Sequence, residues 1–268
     1  VEATQFIPTF DYKDLRSFGQ RKPQSVILHY TAIDSEHSRR ALKGNVSAHY
    51  LVHPDGKTDL IVGEAERAWH AGLAKWGSFP DINSASIGIE IVGFGYWNEI
   101  PEKAGLAKQG LITVTGSDKE WFPYPEAQMN TVATICKDLK QRWNIRDELF
   151  LGHSDIAPGR KVDPGPLFPW EWLHKEHNIG AWVGDLTQHP KVVSLPSEDQ
   201  QVTWMQMKLR NYGYDCSVTG TLDAATSSVI QSFQMHYCPS NISGLIDEKT
   251  IKTLALLLER YHYKVQSD

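Results

Sequence analysis

From Gly152 to Pro166 the chain reads GHSDIAPGRKVDPGP, and no other stretch restricts its folding as much. Three glycines and three prolines pin a histidine, two aspartates and an Arg–Lys pair into one short loop. Each proline fixes φ at about −65° and removes a backbone donor, so the loop has few conformations to lose on folding. Stiff loops of this kind carry chemistry more often than packing. An extended run, Glu148 to Leu151, leads in. His153 is therefore expected at a strand end, with the prolines turning Asp163 back over it. A metal ion fits between the two. Asp155 is also close to His153 in sequence, and spacing alone does not choose between the aspartates.

A third ligand candidate lies far upstream. Ser25-Val26-Ile27-Leu28 reads as a buried strand, and His29 follows at its end before Tyr30-Thr31-Ala32. Two histidines and a carboxylate form a catalytic-zinc ligand set, with a fourth position open to water.

Five segments occur in order: HYTA at His29, SAHYLV at Ser47, AWHAG at Ala68, SIGIE at Ser86, and the GHSDIAPGRKVDPGP loop. Together they resemble the zinc-dependent N-acetylmuramoyl-L-alanine amidases of the type 2 family, in particular bacterial cell-envelope members with an appended wall-binding module. The resemblance spans about Ser25 to Trp172 and resumes at about Pro196. It implies an α/β fold with a mixed sheet flanked by helices, plus a small C-terminal three-helix domain. It also implies one Zn2+ per chain held by His29, His153 and Asp163, which is how Asp163 is preferred to Asp155. Glu90 would be the general base and Lys161 the stabiliser of the oxyanion. Asn83, Trp69, His70 and Arg160 are candidates for substrate binding, Arg160 as a bidentate partner for a stem-peptide carboxylate.

Bulk properties agree with a folded enzyme and exclude some alternatives. The chain has 268 residues, 41% hydrophobic and 10% aromatic, enough for one large or two small cores. Its apolar runs are far shorter than the ~20 residues needed to span a bilayer. A formal charge of −5 argues against nucleic acid as a partner, since such proteins rely on basic surfaces. The expected partners are peptidoglycan and muropeptides. The resemblance points to the bacterial periplasm or cell envelope. The first residue is Val1, so a lipid anchor upstream of it, and with it attachment to the outer membrane, is left open. Three cysteines without Cys-x-x-Cys spacing argue against a structural zinc cluster. Cys136 shares a helical face with Met129, Val132, Ala133, Leu139 and Trp143 and reads as a core thiol. A disulfide between Cys216 and Cys238 is left open.

Local signals divide the chain into an arm (1–24), a catalytic domain (25–189), a linker (190–197) and a helical domain (198–268). Val46 to Val52 and Lys57 to Val62 read as strands joined by the hairpin turn at Asp55-Gly56. Ser86 to Val92 alternates as a half-buried strand with Glu90 opposite the isoleucines. Pro101 to Tyr124 reads as a long loop, and Pro125-Glu126 opens a helix to Trp143. Trp170-Glu171-Trp172 reads as a helix that anchors the loop. In the last domain, Gly220-Thr-Leu-Asp223 and Gly244-Leu-Ile-Asp247 repeat a turn with an aspartate N-cap, each starting a helix, while Val202 to Tyr212 supplies another.

Of the 11 histidines most are not ligands. His49 reads as a structural hydrogen-bonding residue, and His37, His53, His174, His177, His189, His236 and His262 as surface or packing. Two rival functions use the same residues. A non-catalytic peptidoglycan receptor would keep the fold without the chemistry, and a glycosidase would pair Glu90 with Glu64 or Glu66.

Overall fold

The computed structural model describes residues 21–99, 110–186 and 195–261. The first part of the arm and most of the linker lie outside these residues. Strand β1 (Ser25–Tyr30) is buried along its whole length, as expected for an unbroken apolar run in a parallel sheet. Helix α1 (Ser35–Ala41) follows, capped by Asp34. Strands β2 (Tyr50–Val52) and β3 (Thr58–Leu60) form the hairpin, antiparallel around Asp55-Gly56. Both are shorter than their patterns suggest. Upstream of β2, Ser47 bonds to the backbone of Trp69 rather than to β3.

A short turn of helix, α2 (Ile82–Ala85), leads into β4 (Ser86–Ile91). This strand is not half-buried as its alternation suggests. It lies between β1 and β2, parallel to both, with Ile87, Ile89 and Ile91 fully buried. Beyond it, the Pro101–Tyr124 segment is partly outside the described residues; the remainder carries a two-stranded ribbon, β5 (Ile112–Thr113) and β6 (Glu120–Trp121).

Helix α3 (Glu126–Trp143) has the bounds that its periodicity predicts, and it ends at Asn144 in the left-handed conformation. It buries Met129, Val132, Ala133, Ile135, Cys136 and Leu139 on the core side. The extended run expected from Glu148 is instead a 3-10 turn over Asp147–Leu149. Asp147 holds that turn by accepting from Lys140 and from the Gly180 amide. Strand β7 (Phe150–Gly152) therefore begins later, and His153 opens the single turn α4 (His153–Ile156). Helix α5 (Trp170–His177) seats Trp170 in the core and anchors the loop. The sheet order is β3-β2-β4-β1-β7, parallel except for β3, so it is a mixed sheet flanked by helices.

Three further helices, α6 (Gln201–Tyr212), α7 (Ala224–Tyr237) and α8 (Glu248–Tyr261), make up the last module. Asp223 and Asp247 cap α7 and α8 through the Thr226 and Thr250 amides, each at 2.7 Å. The repeat goes deeper than the caps. Gln206 and Gln234, both fully buried, accept from the amides of Gly220 and Gly244 through Oε1 and donate to Thr221 O and Leu245 O through Nε2. Cys136, Cys216 and Cys238 are free thiols. A single apolar cluster runs from the sheet through Trp76 into Tyr214, Phe233 and Leu257, so the module shares the catalytic domain's core. No helix among the described residues is long and apolar enough to cross a membrane.

Candidate active site

Parallel pairing does most of the assembly. His29 is in register with Glu90, so both side chains leave the sheet on the same face. Leu28 pairs with Gly152, which puts His153 one residue past the strand end, beside His29. The rigid loop then returns Asp163, locked by a hydrogen bond from the Ser154 amide to the Asp163 carbonyl at 2.8 Å. His29 Nδ1, His153 Nδ1 and Asp163 Oδ2 form a triangle with edges of 2.9, 3.1 and 3.0 Å. All three residues are buried.

Hydrogen bonds to the far sides of the rings determine what the near sides offer. His153 Nε2 lies 3.0 Å from the Ala71 carbonyl, which only accepts, so the proton is on Nε2 and Nδ1 presents a lone pair. Ser86 donates its hydroxyl to Ile82 O at 2.6 Å and accepts from His70 Nε2 at 3.2 Å. His70 Nδ1 is therefore the acceptor for His29 Nε2 at 3.0 Å, and His29 Nδ1 also turns a lone pair inward. Burial, with His153 nearby, pushes His29 down to about 4, so it is neutral at neutral pH. Two lone pairs and a carboxylate oxygen thus converge, an arrangement that a cation satisfies. Ligand atoms around a tetrahedral ion with bonds of ~2.0 Å stand ~3.3 Å apart, close to the edges found. The residues present fit a metal ion.

Glu90 faces the same cleft. Its Oε2 is buried with no hydrogen-bond partner. Burial and the Asp163 charge push its carboxyl up to about 8, against the pull of Lys161. The cleft, about 510 Å³, is lined by Glu90, Lys161, Trp69 and Arg160 together with Tyr30, Tyr96, Glu99 and Lys119. This last group is a wall that sequence reading did not find. Tyr30 donates to Glu99 at 2.6 Å, tying the wall to β1.

The other expected residues divide. Trp69 is half-exposed at the rim under the Arg67 guanidinium, 3.8 Å from its ring. Arg160 lines the cleft, but its Nη2 is committed to Ala71 O and Leu73 O at 2.8 and 2.7 Å, which staples the loop to the 71–73 turn. His70, expected to face substrate, lines the cleft and also orients His29. It fits because Gly88 has no side chain: a Cβ there would lie 2.5 Å from the His70 ring. Asn83 does not reach the cleft. Its Oδ1 accepts from the His70 and Ala71 amides at 3.0 and 2.9 Å, shaping the turn from beneath. Its place in a substrate site is withdrawn.

Glu64 is likewise not a cleft acid. Buried, it takes a bidentate Arg142 contact at 2.7 Å and bonds to Tyr50 and Trp143. Glu66 is exposed outside the cleft lining, so Glu90 has no glycosidase partner in either residue. His49 is structural as expected, accepting from the Gly88 amide at 2.9 Å. His53 and His236 are buried hydrogen-bonding residues, more than surface or simple packing histidines.

Fold and site together define a hydrolytic enzyme of the α/β class with a His-His-Asp centre at the carboxyl ends of parallel strands. The chain belongs to the N-acetylmuramoyl-L-alanine amidase family, whose pattern matches residues 19–166, and a putative peptidoglycan binding domain matches residues 198–254. It is 34% identical to the N-acetylmuramoyl-L-alanine amidase AmiD of Escherichia coli over 245 residues, 88% of this chain and 82% of that protein. It is 32% identical to the 1,6-anhydro-N-acetylmuramyl-L-alanine amidase AmpD of Enterobacter cloacae, a match spanning 48% of this chain and 56% of that protein. The structure resembles Escherichia coli AmiD in complex with anhydro-N-acetylmuramic acid-L-Ala-D-gamma-Glu-L-Lys, with TM-score 0.74 and 31% identity over 92% of this chain and 91% of that one. It also resembles AMPDH3 of Pseudomonas aeruginosa, with TM-score 0.73 and 33% identity over 95% and 99%.

Proposed function

We propose that this protein is a zinc-dependent amidase that hydrolyses the bond between N-acetylmuramic acid and the L-alanine of the peptidoglycan stem peptide. The observation that carries the reading is the convergence of two imidazole lone pairs and the Asp163 carboxylate beside an unpartnered Glu90. His29, His153 and Asp163 would hold the ion, which would supply the positive charge that acidifies water and polarises the amide carbonyl.

The remaining steps belong to the chain's own residues. Glu90 takes a proton from water and delivers it to the leaving nitrogen, from a position facing the cleft where its Oε2 has no other hydrogen-bond partner. Lys161 offers its ammonium to the oxyanion as the carbonyl becomes tetrahedral. Trp69 gives the sugar or peptide a flat apolar surface at the rim. Residues 25–189 act as the catalytic domain and 198–268 as the wall-binding domain, joined by 190–197. The bacterial periplasm or cell envelope is the corresponding location.

The test is to incubate the purified protein with isolated sacculi, with and without a zinc chelator, and identify soluble products by mass spectrometry. Free peptides beginning with L-alanine, lost on chelation and restored by zinc, are expected. Intact muropeptides regardless of chelator would replace the reading with a glycosidase, and binding without products with a receptor.

A further inference from the structure

Asp155 lies two residues beyond His153 and is fully buried, yet no step of the chemistry uses it. Three donors surround it. The Gly152 amide, immediately before His153, donates to Oδ2 at 2.7 Å. The other two come from the C-terminal module: Tyr214 OH donates to Oδ1 at 2.5 Å and His236 Nδ1 to Oδ2 at 2.7 Å. The His236 ring is clamped between Trp170 and Tyr237, with centroids 3.7 and 3.8 Å away and planes within 17° and 5° of parallel. Its donor is thus fixed in direction.

The module meets the loop again at Gly159, where a Cβ would stand 3.1 Å from Ser228 Oγ. It meets the neighbouring 75–77 turn through the Gly77 amide on Gly213 O at 2.7 Å and through Lys75 on Asp215 at 2.7 Å. The loop that carries His153 and Asp163 is therefore held from the module side as well as from the sheet. A wall-binding module acting only as a tether needs none of this. A buried carboxylate stripped of its donors is costly to keep in place, so the Asp155 turn depends on Tyr214 and His236.

We propose that the C-terminal module positions the metal-ligand loop, with Tyr214 and His236 acting through Asp155 to keep His153 and Asp163 at ligand spacing. The inference rests on the amidase reading for its catalytic consequence, and on geometry alone for its effect on the loop. Tyr214 and His236 are positioning residues: they touch neither the cleft nor its ligands. Groups that orient metal ligands are commonly worth 10–100-fold in metal affinity.

The experiment uses the full chain with Tyr214→Phe, His236→Phe and both together. Tyr214→Phe removes only the hydroxyl donor, while His236→Phe keeps an aromatic ring in the clamp but is bulkier and loses both ring nitrogens, Nε2 as well as the Nδ1 donor. Zinc affinity is measured by competition with a chromophoric chelator, turnover on a soluble muropeptide too small to need wall binding, and hydrogen exchange by mass spectrometry. The double variant is expected to lose roughly 10–100-fold in zinc affinity. Its kcat should fall with KM little changed, and exchange should accelerate in peptides covering 152–163 while α6 and α8 keep their protection. Unchanged zinc affinity and unchanged exchange at 152–163 would overturn the proposal. So would a loss of protection spread evenly through the module with zinc affinity intact, which would make these contacts simple packing. If the double variant does not fold, Tyr214→Phe, which removes one oxygen and leaves the ring against Trp76, decides on the same readouts. A wild-type protein that binds zinc but yields no amidase product would overturn the amidase reading, while zinc affinity and exchange would still judge the positioning.

Discussion

Replacing Glu90 by glutamine should stabilise the metal-free protein at neutral pH and remove the turnover of the zinc-loaded protein. In the folded chain, burial and the Asp163 charge raise the carboxyl from 4.5 to about 8. Between those values the unfolded chain releases a proton that the folded chain retains, so stability is full below 4.5 and is lost as pH rises toward 8. From 4.5 to 7, at ~1.36 kcal/mol per unit, the loss comes to about 3 kcal/mol. The Glu90 side chain is partly exposed, and solvent screening trims this toward about 2 kcal/mol. Glutamine cannot ionise and is free of the penalty. Urea unfolding of metal-stripped wild type and Glu90→Gln at pH 4.5 and 7 measures it, since titrating groups that do not interact with Glu90 cancel in the difference. The variant should gain about 2–3 kcal/mol relative to wild type between the two pH values. A difference that stays constant would show that Glu90 is solvated and ionised in the fold, and the argument for it as a tuned base would fail.

Other outcomes follow from the same geometry. Glu90→Ala should retain zinc by elemental analysis yet lose turnover by about 10²-fold or more. His153→Ala should lose zinc and activity together in the same two measurements. His70→Ala, which removes the acceptor that orients His29, should weaken zinc binding by roughly 10–100-fold in a chelator competition without touching a ligand. Deleting residues after 195 should lower the melting temperature and activity on small muropeptides and sacculi alike, because Trp76 would lose Tyr214 and the loop would lose Tyr214 and His236. Activity on small muropeptides that survives this deletion undiminished would show that the module is a tether after all.

Much of the architecture was legible because its signals are local. The Asp55-Gly56 turn, the Pro125-Glu126 helix start and the twin aspartate caps each depend on a few neighbouring residues. Local patterns misled where a distant partner outweighed them. Alternation in β4 suggested one wet face, but strands on both sides and layers above and below bury it. The Glu148 run looked extended until Lys140 and Gly180 drew Asp147 into a turn.

The candidate site divides along the same line. The sequence by itself offered candidates for chemistry: His29, and His153 with two aspartates in one stiff loop; the resemblance to the amidases is what picked Asp163 over Asp155 and gave roles to Glu90 and Lys161. The loop itself was legible because proline and glycine act on the backbone where they stand. The tertiary structure decided what each group does, since tautomer, charge and direction are set by partners far away in the chain. Ser86 and His70 turn the lone pair of His29 inward, and Asn83 is spent on a backbone turn. Asp155, the rival ligand by spacing, is claimed by His236 from 81 residues further on. Hydrogen-bond direction and burial are properties of packed neighbours, and only folding brings those neighbours together.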